Sequence, residues 1–504
     1  MTSVGEHHLG LLAEQAYERL GDYESLFFEG RWLTSTEIHE RSTRTAGGLR
    51  AHGVRPGDRV IVMTMNTPEV FIAYRAIWRA GAVVTPVIFL QSEPELRHIL
   101  TDSGATAAII SPELATLFRA AAAGLDIATF VIGENYADLE AGEPAGIEPR
   151  ADDDMAALLY TGGTTGRAKG VMLSHRGLWE SGHGLQQAAR TSDTTRSLLP
   201  LPLSHAYGLI VVISGLHSDR RLVSVLQRWF DPAGWLRLVA EHRLETSPLV
   251  PTMLQMLLAQ PYGDHDLSSL RSFGSGGATL PPAIRAAAEK AFGVTVLQGY
   301  GCTESSAVIS AETLTDHRPG SVGKPLPHAE VAIVDLSGTE LPTGADGEIC
   351  VRGPNVMLGY WNDPDLTART VRDGWLHTGD VGHLDADGFL YVVDRIKDLI
   401  IRGGFNVYPR DVEDALLEHP AVQIAACVGR PDTEHGEEVV AVVQLVPGQR
   451  VDGAELIEFA RNRLAKYKYP REVRVLDAVP LTSVGKINRR AVRDLLAPGD
   501  RDDS

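Results

Sequence analysis

Residues 160–170 read Tyr160-Thr161-Gly162-Gly163-Thr164-Thr165-Gly166-Arg167-Ala168-Lys169-Gly170, between apolar residues 156–159 and 171–173. The apolar flanks predict two strands joined by a Gly/Thr loop. Glycines let backbone amides wrap an anion, the hydroxyls of Thr161, Thr164 and Thr165 add donors, and Lys169 adds positive charge. That chemistry suits the phosphates of a nucleotide. No Gly-Lys-Ser/Thr occurs at the spacing of a Walker A loop, which disfavours the P-loop NTPases. Composition alone leaves a second reading open, an ordinary surface hairpin loop.

Further segments of similar texture follow in order along the chain. They are Gly276-Gly277-Ala278, Gly299-Tyr300-Gly301-Cys302-Thr303-Glu304-Ser305, Gly359-Tyr360-Trp361 and Trp375-Leu376-His377-Thr378-Gly379-Asp380. Asp394-Arg395-Ile396-Lys397-Asp398 and Pro480-Leu481-Thr482-Ser483-Val484-Gly485-Lys486 complete the series. Taken singly, a Tyr in a Gly-rich stretch, a Gly-Asp turn or an Arg between elements is a structural feature. In this order, the set resembles the adenylate-forming superfamily of acyl- and aryl-CoA synthetases, luciferases and nonribosomal adenylation domains, and is closest in layout to AMP-forming acyl-CoA synthetases.

The resemblance implies an AMP-forming acid–CoA ligase that uses ATP, Mg²⁺ and coenzyme A, turning a small, medium-chain or aromatic carboxylic acid into an acyl adenylate and then a thioester. A carrier-protein thiol, an amine or another small nucleophile is the alternative acceptor, and an inactive nucleotide-binding homologue a weaker alternative. By position, Thr161, Gly162, Gly163, Thr164, Thr165, Gly166 and Lys169 would hold the β- and γ-phosphates. Tyr300, flanked by Gly299 and Gly301, would lie against adenine, with Gly276, Gly277 and Ala278 along its edge. Thr303 would contact the α-phosphate, and Glu304 would help hold Mg²⁺, which takes its other ligands from phosphates and water. Asp380 would accept the ribose hydroxyls and Arg395 would contact ribose and phosphate.

Lys486 matches the catalytic lysine of adenylation, a cation placed where charge accumulates as the carboxylate attacks phosphorus. Lys397 matches a hinge pivot. Gly403-Gly404 matches either a pantetheine channel, where Gly404 would give way to a thin ligand, or a plain glycine turn. His205, in Leu203-Ser204-His205-Ala206-Tyr207-Gly208, would contact the acid's carboxylate or be a core histidine. Gly162 stands where relatives commonly have Ser, Ala168 where many have Pro, and Ser204 where an aromatic residue is frequent. The first removes a hydroxyl donor; the last would widen the acyl entrance.

These segments need a framework of at least two domains, since 504 residues exceed one ordinary core. From about residue 59, short β-branched runs (60–63, 82–87, 107–110, 130–132) alternate with helical stretches, which predicts an α/β architecture. Thr67, Pro68 and Glu69 mark a helix start, with Thr67 as the cap. Residues 120–123 read as helix. Residues 319–394 read as β-rich, with few helices and with turns at Ser337-Gly338 and Asp387-Gly388.

Beyond Asp394, a helix opening at Pro409, a strand over 439–446 and a helix over 455–464 predict a small α+β domain. The resemblance divides the chain into an N-terminal domain over 1–394, made of two sheet-and-helix subdomains and a distorted β-barrel, and a mobile domain over 395–504 hinged at 395–398. A net charge of −18 disfavours nucleic acid as partner. Residues 1–20, interrupted by charges, lack the apolar run of a signal peptide, and the three cysteines suit a reducing compartment. A cytoplasmic protein without a membrane span is expected.

Overall fold

In a computed structural model of the chain, the described residues are 4–161, 168–190, 193–335, 337–482 and 486–496. Two sheets with parallel centres dominate the first three hundred residues. The seven-stranded sheet runs Gly359–Tyr360, Lys169–Ser174, Met155–Thr161, Val83–Pro86, Arg59–Met63, Ala107–Ile110, Ala128–Val131. Its central strands are buried on both faces, which is why they read as continuous apolar runs rather than alternating ones. The nine-stranded sheet has Arg196–Leu199, Thr246–Leu249, Ser272–Ser275 and Thr295–Tyr300 side by side and parallel.

One apolar core joins these sheets through helices Pro68–Arg79 and Ala206–Leu216. Within it Tyr74 Oη donates to Leu203 O at 2.9 Å and Trp78 Nε1 to Ala156 O at 3.1 Å, so the buried aromatic residues keep their polar atoms satisfied. The helix begins at Pro68 with Glu69 in its first turn, as the sequence suggests. Thr67, however, makes no side-chain capping bond: its Oγ1 is buried without a partner, and its contribution is the extended backbone that precedes a proline. The Ala-rich run is half helical, since helix Ala115–Ala121 stops before residues 122 and 123.

The β-rich stretch forms an antiparallel sheet of Glu330–Val334, Gly347–Arg352, Trp375–Leu384, Val371–Arg372 and Leu390–Arg395 around Ile333, Ile349, Val351, Leu376 and Leu390. Its register contains a feature that builds the site. Glu348 pairs with Val381, but Cys350, two residues on, pairs with His377, so Thr378, Gly379 and Asp380 bulge from the ladder. On the other side Asp380 pairs directly with Arg395.

The last region carries a sheet of Phe405–Val407, Ile400–Arg402, Gly436–Leu445, Val422–Asp432 and Glu472–Leu476. Helix Pro409–Leu417 opens at Pro409, as expected, and buries Val412, Ala415 and Leu416. The strand expected over 439–446 starts at Gly436, and the helix expected over 455–464 is Gly453–Arg461, because the Asp452 side chain caps it earlier by accepting from Glu455 N. Gln255 Nε2 donates to Gln423 O at 3.0 Å, so this region rests on the earlier one. Among the described residues no helix is long and apolar enough to cross a membrane.

Candidate active site

Tyr300 ends its strand with its ring at a cleft of about 2210 Å³ that Gly276, Gly277, Ala278, Gly299 and Gly301 also line. Its hydroxyl donates to Asp380 Oδ2 at 2.7 Å, while Arg395 Nε lies 2.8 Å from Asp380 Oδ1. Asp380 is buried, and the bulge aims its carboxylate at this pair. The Arg395 guanidinium is held above its ordinary value, chiefly by Asp380. Burial, with Asp380 next, pushes the Tyr300 phenol far up, so it stays a neutral donor. A carboxylate offers about four acceptor sites, so two remain for a diol after these contacts.

Gly301 has a steric reason to be glycine. A Cβ there would stand 2.3 Å from Ala307 O, because Ser306 and Ala307 adopt positive φ values of 52° and 79° where the chain turns back. Ser306 Oγ anchors that turn by donating to Asn355 O at 2.8 Å. The same turn presents Thr303 and Glu304 on a short 3₁₀ segment lining the cleft.

Glu304 Oε1 accepts from Tyr360 Oη at 2.9 Å, and Lys169 Nζ stands 5.6 Å from the centre of the Tyr360 ring. Strand Gly359–Tyr360 adds to Lys169–Ser174, so the sheet itself places Tyr360 beside the end of the Gly/Thr loop. Thr161 and Lys169 are the paired ends of that loop. Gly162, Gly163, Thr164, Thr165 and Gly166 lie outside the described residues. The Ala168 carbonyl is 2.9 Å from His98 Nε2, which anchors the chain beside Lys169.

Lys486 enters the same cleft from the last region. Burial first, then Arg395, lowers its ammonium below an ordinary lysine, while Asp380, Cys302 and Glu304 act in the opposite sense. Lys486 also lines an adjoining apolar pocket of about 280 Å³ with His205, Phe89, Trp229, Phe230 and Met253. His205 caps helix Ala206–Leu216, its Nδ1 accepting from Tyr207 N at 3.2 Å. Burial, with Lys486 next, lowers it to about 4, so near neutrality it is an uncharged ring facing a cation. Ser204 is buried at the cleft wall, and its hydroxyl finds no partner.

Lys397 is exposed between Arg395 and Asp398. Asp398 is buried and paired with Arg489 at 3.5 Å and Arg493 at 2.9 Å. Gly403 and Gly404 both have positive φ, and a Cβ on Gly404 would meet nothing within 4 Å. The constellation thus brings a cation, a diol acceptor, an aromatic ring and a carboxylate suited to a hydrated cation into one cleft. That is what condensing an acid with a nucleoside triphosphate requires.

The chain matches the AMP-binding enzyme family over residues 12–361 and the AMP-binding enzyme C-terminal domain over residues 411–486. It belongs to the AMP-binding enzymes. It is 42% identical to a feruloyl-CoA synthase of Amycolatopsis sp over 469 residues, covering 92% of this chain and 94% of the relative. A long-chain-fatty-acid–CoA ligase of Bacillus subtilis (strain 168) is 36% identical over 516 residues, 94% of this chain and 91% of that one. A fatty acid–[acyl-carrier-protein] ligase, ScoC of Streptomyces coeruleorubidus, is 34% identical over 484 residues, 92% of each. Among solved structures, ATP-bound MatB from Rhodopseudomonas palustris superposes with a TM-score of 0.89 at 32% identity, covering 97% of this chain and 99% of that one. The fold is therefore that of the adenylate-forming enzymes, and this AMP-binding enzyme is an ATP-dependent, AMP-forming acid–CoA ligase.

Two site features have no role in the sequence reading. Tyr360 stands in the quoted Gly359-Tyr360-Trp361 motif but was assigned nothing, although its hydroxyl holds Glu304. Glu348 lies far from any motif, yet its Oε1 accepts from Gly379 N at 3.1 Å and its Oε2 is 2.8 Å from His377 Nδ1. Only the cross-strand register connects it to the motif.

Proposed function

We propose that this AMP-binding enzyme activates an aromatic carboxylic acid and transfers it to coenzyme A, with Lys486 as the cation of adenylate formation. The observation that carries this reading is Lys486 in the same cleft as Tyr300, Asp380, Arg395 and Glu304. Asp380 and Arg395 orient the ribose, Tyr300 covers one side of the base, and Thr303 holds the α-phosphate. Lys486 then stabilises charge shared between the carboxylate and the phosphorus, more in the transition state than before it. Neutral His205 orients the acid without adding a second charge beside Lys486.

Glu304 fits Mg²⁺: Tyr360 holds one carboxylate oxygen, and the residue lines the cleft where phosphates would lie. A bound Mg²⁺ would neutralise phosphate charge during transfer. The aromatic assignment is supported by the 42% identity to a feruloyl-CoA synthase.

Coenzyme A as acceptor is supported by Gly403 and Gly404 beside an exposed stack of Phe405 on Tyr467, ring centres 4.9 Å apart. Lys468 and Arg471 lie over the neighbouring Tyr467 and Tyr469 rings. Aromatic faces flanked by cations suit the adenine and phosphates of coenzyme A. Transfer to a carrier-protein thiol is the second reading, favoured by the likeness to ScoC. Lys397 serves as the pivot between domains over 1–394 and 395–504, and the free cysteines support a cytoplasmic setting.

A panel of aryl and fatty acids, followed by pyrophosphate release with and without coenzyme A, tests the proposal. Aryl-CoA and AMP should form with cinnamic- or benzoic-type acids. Preference for saturated chains would overturn the aryl assignment, and adenylate discharged only by a carrier protein would overturn the acceptor.

A further inference from the structure

The bulge that presents Asp380 is pinned by three contacts. Glu348 Oε1 accepts from Gly379 N at 3.1 Å, Thr378 Oγ1 donates to Ile349 O at 2.7 Å, and Asp380 N donates to Thr378 Oγ1 at 3.1 Å. Beneath the bulge, Glu348 and Cys350 sit two apart on one strand and His377 is the direct cross-strand partner of Cys350. His377 Nδ1 lies 2.8 Å from Glu348 Oε2 and 3.3 Å from Cys350 Sγ. All three ligand atoms fall within 4.8 Å of one another.

We infer that Glu348, Cys350 and His377 form a binding site for a soft divalent cation of the Zn²⁺ class, and that occupying it inhibits the enzyme by releasing the bulge that carries Asp380. Sulfur, imidazole nitrogen and carboxylate oxygen are the donors such an ion takes, at about 2.0–2.3 Å, which sets neighbouring donors about 3.4 Å apart around a tetrahedral centre. The Cys350–His377 separation of 3.3 Å already matches, whereas Glu348 Oε2, 2.8 Å from His377 Nδ1, must draw back from the ring to reach it, which pulls on the Oε1 that holds Gly379 N. Glu348 and His377 line the cleft, which supplies water for the fourth position.

Burial, with Glu348 next, pushes the Cys350 thiol up to about 12, so coordination releases one proton to solvent as the Sγ–H bond is exchanged for a metal–thiolate bond. Arg372, 4.0 Å from Glu348, opposes the cation but is half exposed and free to swing away. The other such group among the described residues, Asp432, His435 and Glu438, is committed elsewhere: Arg402 holds Glu438, and the amides of Glu434 and His435 hold Asp432.

The test uses the full chain, freed of metal and titrated with Co²⁺ and then Zn²⁺. One equivalent of Co²⁺ should give a thiolate-to-cobalt charge-transfer band, absent in Cys350→Val and in Cys350→Ser. With excess Mg²⁺ and ATP, one equivalent of Zn²⁺ should slow pyrophosphate release about tenfold or more, as displacement of a positioning group does, and a zinc-selective chelator should restore it. Cys350→Val, outside the machinery proposed above, should keep its zinc-free rate and resist zinc. A missing band, a band that survives in both cysteine variants, or equal zinc inhibition of wild type and Cys350→Val would overturn the inference. The cobalt band needs neither acid nor coenzyme A, and pyrophosphate release is followed without coenzyme A on whichever acid the panel shows to be activated, so a failure here is distinct from a failure of the proposed acid or acceptor.

Discussion

A lysine stabilises a transition state only while protonated, and Lys486 is partly desolvated beside Arg395. Lys486→Ala should therefore slow adenylate formation by about two to three orders of magnitude, the usual loss for a group aimed at developing charge. Thioester formation from a supplied acyl adenylate should be largely retained, and half-reaction assays would expose any equal loss in both steps. The pH profile carries a second mark of the same residue. Because its ammonium is lowered, the alkaline limb of adenylation should fall off below an ordinary lysine's 10.5 and vanish from the residual activity of Lys486→Ala. Tyr360→Phe removes one hydroxyl from Glu304, so the Mg²⁺ concentration giving half-maximal rate should rise roughly tenfold, in keeping with the loss of about 1.5 kcal/mol from one hydrogen bond to a charged acceptor. Unchanged Mg²⁺ dependence would leave Tyr360 a packing residue.

At the scale of elements, the site depends on places where regular structure is interrupted. The bulge at Thr378, Gly379 and Asp380 breaks the ladder and carries Asp380 into the cleft, and the positive φ of Ser306 and Ala307 folds the chain back over Gly301. The proposed hinge falls on a third interruption, the short 3₁₀ segment Ile396–Asp398 after Arg395. Asp398 is tied there to Arg489 and Arg493, so the arrangement with Lys486 in the cleft is one held state. Lys397→Pro fixes φ at this point and should slow thioester formation about tenfold while adenylation changes little. Single-turnover measurement of each step decides it, and wild-type rates in both would remove the pivot.

For the whole molecule, the buried histidines set an acid limit on stability. His8 is lowered to about 4 and His217 to about 3, both first by burial, and His175 is lowered well below its ordinary value, first by burial and then by His8. Unfolded histidines titrate near 6.5, so below that pH the unfolded chain binds more protons and stability falls as pH drops towards 4. His8 alone corresponds to a loss on the order of 3 kcal/mol. Asp394 and Asp414, pushed up to about 6 by burial, act oppositely, since the folded state takes their protons first. The urea midpoint should fall between about pH 7.5 and 5, and His8→Asn, which keeps a capping acceptor before helix Leu9–Leu20, should flatten that slope. An identical slope in the variant would show that His8 does not titrate on unfolding.

The α/β alternation and the strands around residues 60, 85 and 108 were legible in sequence because burial on two faces leaves unbroken apolar runs, and the helix from Pro68 because Pro68 and Glu69 mark its first turn. The motif residues stood out in sequence by type and order, and the structure brings Tyr300, Glu304, Asp380, Arg395 and Lys486 to one cleft. What the sequence did not contain was which residues lie next to them. Tyr360 reaches Glu304 only because a two-residue strand joins the sheet that ends in the Gly/Thr loop. Thr67 looked like a cap, yet its hydroxyl is buried without a partner. Glu348 supports Asp380 through a register shift of the kind that leaves no local pattern, and Lys486 meets Arg395 across ninety residues of chain. Local chemistry determines which residue types can act, and only pairing and packing over long separations determine which of them act together.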